Sequence, residues 1–143
     1  GDVGSGITAY NYLKALPKPV TLVTHNIGRV DSIGVIVYSA GSKRLCVPQA
    51  RFLIHGVKSM GEGMASMDEK LLEERLKTLK IDSENIARVI AANSRKGQEE
   101  VRAAMSDRTT LNPEQAIAWG LAQEIRTDLY DAADFVYRIE PRR

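Results

Sequence analysis

The chain has 143 residues, of which 43% are hydrophobic and 27% are charged. A chain of this length can bury one hydrophobic core, which predicts one globular domain rather than two. Its 20 basic and 18 acidic residues give a formal net charge of only +2, and the basic residues are scattered, so the composition argues against nucleic acid as a partner.

Cysteine content and hydropathy exclude two further classes of protein. The single Cys46 cannot form a disulfide within the chain, and it lies too far from either histidine for the ligand spacing of structural zinc. A lone cysteine fits a reducing compartment, and we expect a cytoplasmic protein without a metal site. No apolar run approaches the roughly 20 residues that a membrane helix needs, so we expect no membrane-spanning segment.

The first part of the chain predicts helices that alternate with strands. Apolar residues recur at three- and four-residue steps over Val3–Leu16 and stop at a pair of prolines, which predicts an amphipathic helix. The segment "PVTLVTH" is short and β-branched, and it leads into an Asn and Gly turn, which predicts a buried strand. Asp31 or Ser32 can then cap a helix through "IGVIVYSAG". We therefore expect Ser32 at a strand-to-helix junction.

The second part of the chain continues this alternation. The segments "RLCV" and "RFLIH" predict two strands, and His55 closes the second. A long helix is predicted from Met67 to about Ser94, a short helix over "GQEEVRAAM", and another over Pro113–Gly120, with proline in its first turn and glycine at its end. "LAQEIR" predicts a final strand, and residues 127–143 can form a docking helix. This order predicts an α/β domain with a mostly parallel sheet.

Ser32 has two interpretations that its local sequence leaves open. A serine hydroxyl is a weak nucleophile at neutral pH, and it needs an adjacent base and hydrogen-bond donors for the oxyanion that forms. If Ser32 begins a helix, the unpaired N–H groups of the first turn, including that of Ile33, point toward it. The alternative is an ordinary helix N-cap, a position where serine is common.

Other residues supply candidates for the rest of a catalytic set. His55 can act as a base, and His25, on the strand that leads into the serine turn, is its rival. Asp107 in the loop "SDRTT" can orient a histidine, although a solvated loop aspartate is the alternative. Cys46 is interpreted as a small buried strand residue. The opening "GDVGSG" is glycine-rich but lacks the lysine of a phosphate-binding loop, and we expect no cofactor.

Taken together, four segments of the chain resemble the proteolytic subunit of the Clp protease (ClpP) and its relatives with the crotonase-like fold. "GDVGSGITAYNYLKAL" resembles the helix after the family's Pro-Gly-Gly turn, and "GRVDSIG" with the later "SAG" matches the glycines and serine of its nucleophile segment. "CVPQARFLIHG" resembles its proline, strand and histidine segment, and "SDRTTLNPEQAIAWGL" its Asp-Arg to Gly-Leu run. The resemblance covers Gly1 to about Arg126 and implies a triad of Ser32, His55 and Asp107.

The resemblance also implies a fold and further site residues. The fold would be a βαβ superhelix with a mostly parallel sheet and a protruding handle helix, formed by a domain over residues 1–126 and preceded by further strands. The N–H groups of Gly1 and Ile33 would form the oxyanion hole. Gly61 and Gly63 would leave room for a peptide to lie beside the backbone, as in strand addition.

The function implied is a serine endopeptidase that cleaves peptides or unfolded proteins without a cofactor. Such proteins form homo-oligomeric rings, heptamers or stacked double rings, and often work with an ATP-driven unfoldase. One departure from the family is "RVD" in place of Gln-Ala-Ala. The carboxylate of Asp31 then either opposes a nearby oxyanion or caps the helix and points away. The alternatives are a catalytically silent ring subunit and a crotonase-type acyl-CoA enzyme.

Overall fold

A computed structural model of the chain describes residues 1–58 and 68–129. In chain order these residues form α1 (Val3–Lys14), β1 (Val23–Asn26), β2 (Arg29–Asp31), α2 (Ile33–Tyr38), β3 (Lys43–Cys46), β4 (Arg51–Leu53), α3 (Glu69–Ala92), α4 (Gln98–Ser106), β5 (Thr110–Leu111), α5 (Pro113–Trp119) and β6 (Glu124–Ile125). Helices and strands alternate along most of this order, which confirms the predicted α/β class.

The strands of the described residues form two small sheets. The first has the order β1-β3-β6 with parallel pairing throughout, and the second has the order β2-β4-β5. In the second sheet β2 pairs parallel to β4, whereas β5 pairs antiparallel to β4. The chain therefore passes from the first sheet to the second between β1 and β2, and it does so again between β3 and β4.

A buried amide fixes the corner where the chain first changes sheets. The Asn26 side chain donates from Nδ2 to the Arg51 carbonyl oxygen at 2.8 Å, and its Oδ1 accepts from the Gly28 N–H at 3.1 Å. Only 1% of Asn26 is exposed, so both polar atoms need the partners that they have. The turn predicted after the first strand is thus a corner that sets β2 beside β4.

Helix α2 lies at the centre of the hydrophobic core. Val35 and Ile36 are fully buried, and the Tyr38 ring packs edge-on against Phe52 of β4 with ring centroids 5.2 Å apart. The Tyr38 hydroxyl donates to the Leu45 carbonyl oxygen at 2.9 Å. Burial raises the pKa of this hydroxyl above its usual range, so it remains a hydrogen-bond donor.

The structure differs from the sequence predictions mainly in the second sheet. Strands β2 and β5 were not predicted, because at 3 and 2 residues they are too short to show an alternating pattern. Strand β4 ends at Leu53, so His55 lies in the connection that follows it rather than within the strand. Residues 130–143 of the predicted docking helix lie outside the described residues.

Helix α1 crosses α2 at a glycine. Gly6 is buried, and a Cβ added to it would lie 2.7 Å from Cδ1 of Ile33 and even nearer to Cγ1 of the same side chain. A real Cβ cannot occupy that space without moving Ile33. The close approach therefore depends on glycine, and it presses α1 against the first residue of α2.

Replacing Gly6 with Ala should lower the free energy of unfolding by about 1–3 kcal/mol, because the added methyl group overpacks the helix contact. Gly4→Ala on the same helix is the matched control, since a Cβ there has the Asp2 Oδ1 as its neighbour at an ordinary 3.6 Å. We expect the control to be as stable as the parent or up to about 1 kcal/mol more stable in urea unfolding, because alanine is the better helix former. Equal losses in the two variants would contradict the close contact.

Candidate active site

The parallel pairing of β2 with β4 brings two candidate residues to one edge of the second sheet. Asp31 lies opposite Leu53 in the register, and the Ser32 N–H donates to the Leu53 carbonyl oxygen at 2.8 Å. His55 follows Leu53 by two positions. Ser32 and His55 consequently line the same pocket, which has a volume of about 270 Å³.

The backbone of Ser32 has an unusual conformation. Its φ of 59° and ψ of -128° place it where an L-residue is strained, at a sharp turn between β2 and α2. Its side chain makes no hydrogen bond to the first turn of α2, so the N-cap interpretation is wrong for the hydroxyl. A strained serine between a strand and a helix resembles the nucleophile elbow of α/β-hydrolases.

The contact that His55 makes indicates the tautomer of its ring. Its Nδ1 lies 2.7 Å from the carbonyl oxygen of Gly56. Because a carbonyl oxygen can only accept, Nδ1 carries the proton, and a neutral ring then has its lone pair on Nε2. The ring is half-buried at the wall of the pocket. Nε2 is therefore the atom available to take a proton from a hydroxyl.

The rival candidates lie elsewhere. His25 belongs to β1 in the first sheet, where its Nε2 bonds to the Arg126 carbonyl oxygen at 2.9 Å, and it does not line the pocket. Cys46 is fully buried, and burial raises the pKa of its thiol, which keeps the sulfur neutral and a poor nucleophile. Neither residue lines the pocket that Ser32 and His55 share.

Asp107 lies near His55 in the fold but is not joined to it. It follows the last residue of α4, and the Gly56 N–H donates to the Met105 carbonyl oxygen at 2.9 Å, which sets this end of α4 beside the His55 segment. The Asp107 side chain is exposed, and His55 Nδ1 bonds to Gly56 instead. Within residues 1–58 and 68–129, no hydrogen bond links the Asp107 carboxylate to His55.

The two candidate oxyanion donors adjoin each other. Gly1 and Ile33 both line the pocket, and a Cβ added to Gly1 would lie 2.9 Å from Cγ2 of Ile33. Ile33 is the first residue of α2, where backbone N–H groups have no partner within the helix. Gly61 and Gly63, the predicted substrate-binding residues, lie outside the described residues.

Apolar side chains form most of the pocket wall, and a larger groove adjoins the pocket. The wall includes Val3, Ile33, Ile54, Val57, Ile86 and Ile90. The groove has a volume of about 650 Å³ and runs between the start of α1 and the first half of α3, with Val57 and Lys58 lining both spaces. Together they can hold one apolar side chain and a length of extended chain beside it.

Asp31, the residue that departs from the family pattern, is held by arginine. Its Oδ2 accepts from Arg51 Nη2 at 3.1 Å, and Arg29 Nε lies 3.9 Å from the same oxygen. The carboxylate therefore does not cap α2. Sequence reasoning missed Arg51, because only the register of β2 against β4 shows that the two residues meet.

The described residues contain neither a helix that could span a membrane nor a cluster that could bind a metal ion. Even α3, which has 24 residues, is too polar to cross a membrane, and no other helix there meets the requirement. No group of three or more His, Cys, Asp or Glu side chains is arranged to hold a metal ion in that part of the chain. The polar side chains that line the pocket are those of Ser32, His55 and Lys58.

Comparisons with known proteins identify the family of the chain. Residues 1–128 match the Clp protease family, and the chain belongs to that family. The ATP-dependent Clp protease proteolytic subunit 3 of Rhizobium johnstonii is 30% identical over 133 residues, which are 92% of this chain and 66% of the relative. The subunit 3 of Rhizobium meliloti is 31% identical over 132 residues, which are 90% of this chain and 64% of the relative.

A third relative extends the same comparison. The ATP-dependent Clp protease proteolytic subunit of Bdellovibrio bacteriovorus is 26% identical over 127 residues, which are 87% of this chain and 58% of the relative. The chain thus spans between 58% and 66% of the length of these relatives. The family accounts for the α/β fold with mostly parallel strands and makes a peptidase the natural class of activity to consider.

Replacing Ser32 with Gly should make the protein more stable than Ser32→Ala by about 0.5–2 kcal/mol. Glycine at this φ relieves a backbone strain of roughly 1–3 kcal/mol. It lowers the free energy of unfolding by only about 0.4–1 kcal/mol, because a glycine gives the unfolded chain more conformational entropy than an alanine does. The measurement is urea unfolding of both variants.

Ser42 supplies the matched control for this comparison, because it is exposed and its φ is not positive. There, Gly should be less stable than Ala by about 0.5–1 kcal/mol. The difference in stability between the Gly and Ala variants should therefore have opposite signs at Ser32 and Ser42, and this tests the strain directly. A Ser32→Gly variant that is less stable than Ser32→Ala would contradict it.

Proposed function

We propose that this chain is a serine endopeptidase of the Clp type, with Ser32 as its nucleophile. The observation that carries the proposal is the strained strand-to-helix turn at Ser32, beside a pocket that His55 also lines. Strain of this kind persists only where the surrounding structure holds it, and it concentrates at functional sites. Membership of the Clp protease family supports the same reaction class.

The proposed reaction uses the atoms at the pocket in sequence. His55 Nε2 takes the proton of the Ser32 hydroxyl as its oxygen attacks the carbonyl carbon of a peptide. The N–H groups of Ile33 and Gly1 donate to the oxyanion, where fixed dipoles stabilise the developing charge. His55 then gives the proton to the leaving amine, and water releases the acyl group from Ser32 by the reverse set of transfers.

Asp107 is proposed as the residue that orients His55 in the working enzyme. His55 Nδ1 now lies 2.7 Å from the Gly56 carbonyl oxygen. For this role its N–H must turn to the Asp107 carboxylate. Hydrogen bonds of catalytic groups are often long or differently directed in the absence of substrate. The position of Asp107 at the end of α4, beside the His55 segment, makes the change a local one.

The proposed substrate is an extended peptide or unfolded protein. The pocket of about 270 Å³ suits one apolar side chain, and the adjoining groove suits the chain beyond it. Gly61 and Gly63, outside the described residues, are proposed to border the peptide so that it can add as a strand. The reaction requires no cofactor, and the proposed compartment is the cytoplasm.

Assembly is proposed to follow the family pattern. Leu72 and Leu76 lie one turn apart on α3 and are 54% and 53% exposed, which is unfavourable for a face that meets only water. We propose that this face of α3 is a handle that packs against other copies in a homo-oligomeric ring, a heptamer or a stacked double ring. An ATP-driven unfoldase is the proposed partner, since the relatives are named as ATP-dependent.

One observation favours a second candidate, a catalytically silent ring subunit. The Asp107 carboxylate is exposed and His55 is bonded elsewhere, so a complete Ser-His-Asp chain of hydrogen bonds is not assembled. Peptide turnover by the purified oligomer, lost on changing Ser32, would eliminate this candidate.

Labelling with a fluorophosphonate probe tests the nucleophile. The parent protein should be labelled, and Ser32→Ala should lose the label because the attacking oxygen is gone. Ser42→Ala is the matched control and should be labelled like the parent, because Ser42 is exposed and uses its hydroxyl to bond the Leu22 carbonyl oxygen. Label that persists on Ser32→Ala at any other residue would sink the assignment.

The role of Asp107 can be tested separately. Asp107→Asn should lower kcat/KM for a fluorogenic peptide by roughly 10²–10⁴-fold, since the histidine loses the carboxylate that stabilises its charged form. Asp128→Asn, which removes an exposed carboxylate from the segment after β6, should change the value less than twofold. If Asp107→Asn retains the parent value, Asp107 has no part in the reaction.

A further inference from the structure

The residue before the proposed nucleophile carries a charge that is unfavourable for the chemistry. Serine attack creates an oxyanion next to Ser32, and Asp31 is covalently adjacent. Because consecutive Cα atoms are 3.8 Å apart, the carboxylate and the oxyanion lie within about 10 Å of each other, no more than one Debye length at 0.1 M salt. A bare carboxylate there would raise the energy of the tetrahedral intermediate.

Solvent screens this carboxylate only in part. The Asp31 side chain is 26% exposed, and its Oδ1 is buried with no hydrogen-bond partner among residues 1–58 and 68–129. A desolvated charge acts over a longer distance than one in water. The carboxylate therefore needs a counter-charge if Ser32 is to react.

Arg51 supplies that counter-charge at hydrogen-bond distance. It is the first residue of β4, and its Nη2 donates to the Asp31 Oδ2 at 3.1 Å. The strand that carries Arg51 is the strand that leads to His55, and the Arg51 N–H and carbonyl oxygen both bond to the corner after β1. These bonds fix the backbone of Arg51, and its side chain, which is 46% exposed, reaches the carboxylate from there.

Arg29 contacts the same oxygen in a weaker way. Its Nε is 3.9 Å from Oδ2, which is too long for a hydrogen bond, and its side chain is 75% exposed. Loss of its charge should be largely screened by water. Arg29 and Arg51 therefore form a natural comparison. They carry the same charge and face the same carboxylate, but only Arg51 is within hydrogen-bond distance of it.

We propose that Arg51 is a positioning residue for the reaction at Ser32. It neutralises Asp31 and draws the carboxylate to the β4 side, so that the charge does not oppose the oxyanion. This inference rests on the proposed function of Ser32. It explains how the chain can carry an aspartate directly before its nucleophile and still support acyl transfer.

Four variants test the proposal with a short apolar peptide that carries a fluorogenic amide leaving group. Arg51→Gln should lower kcat about tenfold with KM changed less than twofold, since the uncompensated carboxylate acts on the transition state rather than on substrate binding. Asp31→Asn combined with Arg51→Gln should return kcat to within about threefold of the parent. Arg51→Lys should keep most of the activity, and Arg29→Gln should change kcat less than twofold.

The outcomes separate this inference from the proposed function. An active parent with an unaffected Arg51→Gln variant would overturn the inference and leave the function standing. A double variant as slow as Arg51→Gln would also overturn it, because relief of a charge would then not explain the loss. A parent that neither cleaves the peptide nor labels at Ser32 would overturn both. If Arg51→Gln does not fold, the double variant and Arg51→Lys still test the inference. The melting temperature of each shows whether it is folded, and its kcat shows whether relief of the charge restores the reaction.

Discussion

The hydrogen bond from the Ser32 N–H to the Leu53 carbonyl oxygen, 2.8 Å long, extends the pairing of β2 with β4 into the turn where α2 begins. That bond fixes the end of a strand at Ser32, where the backbone has a strained conformation for an L-residue. It also ties the serine to the strand that leads to His55. The shared pocket follows from this pairing, because both residues emerge at the same edge of the sheet.

The rest of the fold holds the strained turn in place from three sides. Buried Asn26 sets the corner that brings β2 beside β4, and the fully buried residues of α2 anchor the helix that the turn begins. Gly6 lets α1 press directly on Ile33, the first residue of that helix. A strained residue persists only when its surroundings determine its conformation more strongly than its own preference does. The apolar core is therefore what keeps Ser32 in its strained conformation at the pocket.

Much of the fold is predictable from the sequence, but the site is only partly so. Periodicity predicts α1, and proline and glycine positions predict the bounds of α5, whose end at Gly120 has the left-handed conformation expected of a C-terminal glycine. Local sequence could not decide whether Ser32 caps a helix or attacks a substrate, because the same residue types favour both. In the structure Ser32 occupies the N-cap position of α2, but its side chain makes no capping hydrogen bond. The pairing of Asp31 with Arg51 depends on the register of two short strands, which no local pattern encodes.

The structure of a peptide boronate bound to the assembled protein tests the central claim most directly. We predict a covalent bond from boron to Ser32 Oγ, one boronate oxygen about 2.7–3.1 Å from the Ile33 N–H, and His55 Nε2 within hydrogen-bond distance of the adduct. The peptide side chain next to boron should fill the apolar pocket. Boron bonded to any other residue, or an unmodified Ser32 in a saturated crystal, would contradict the account.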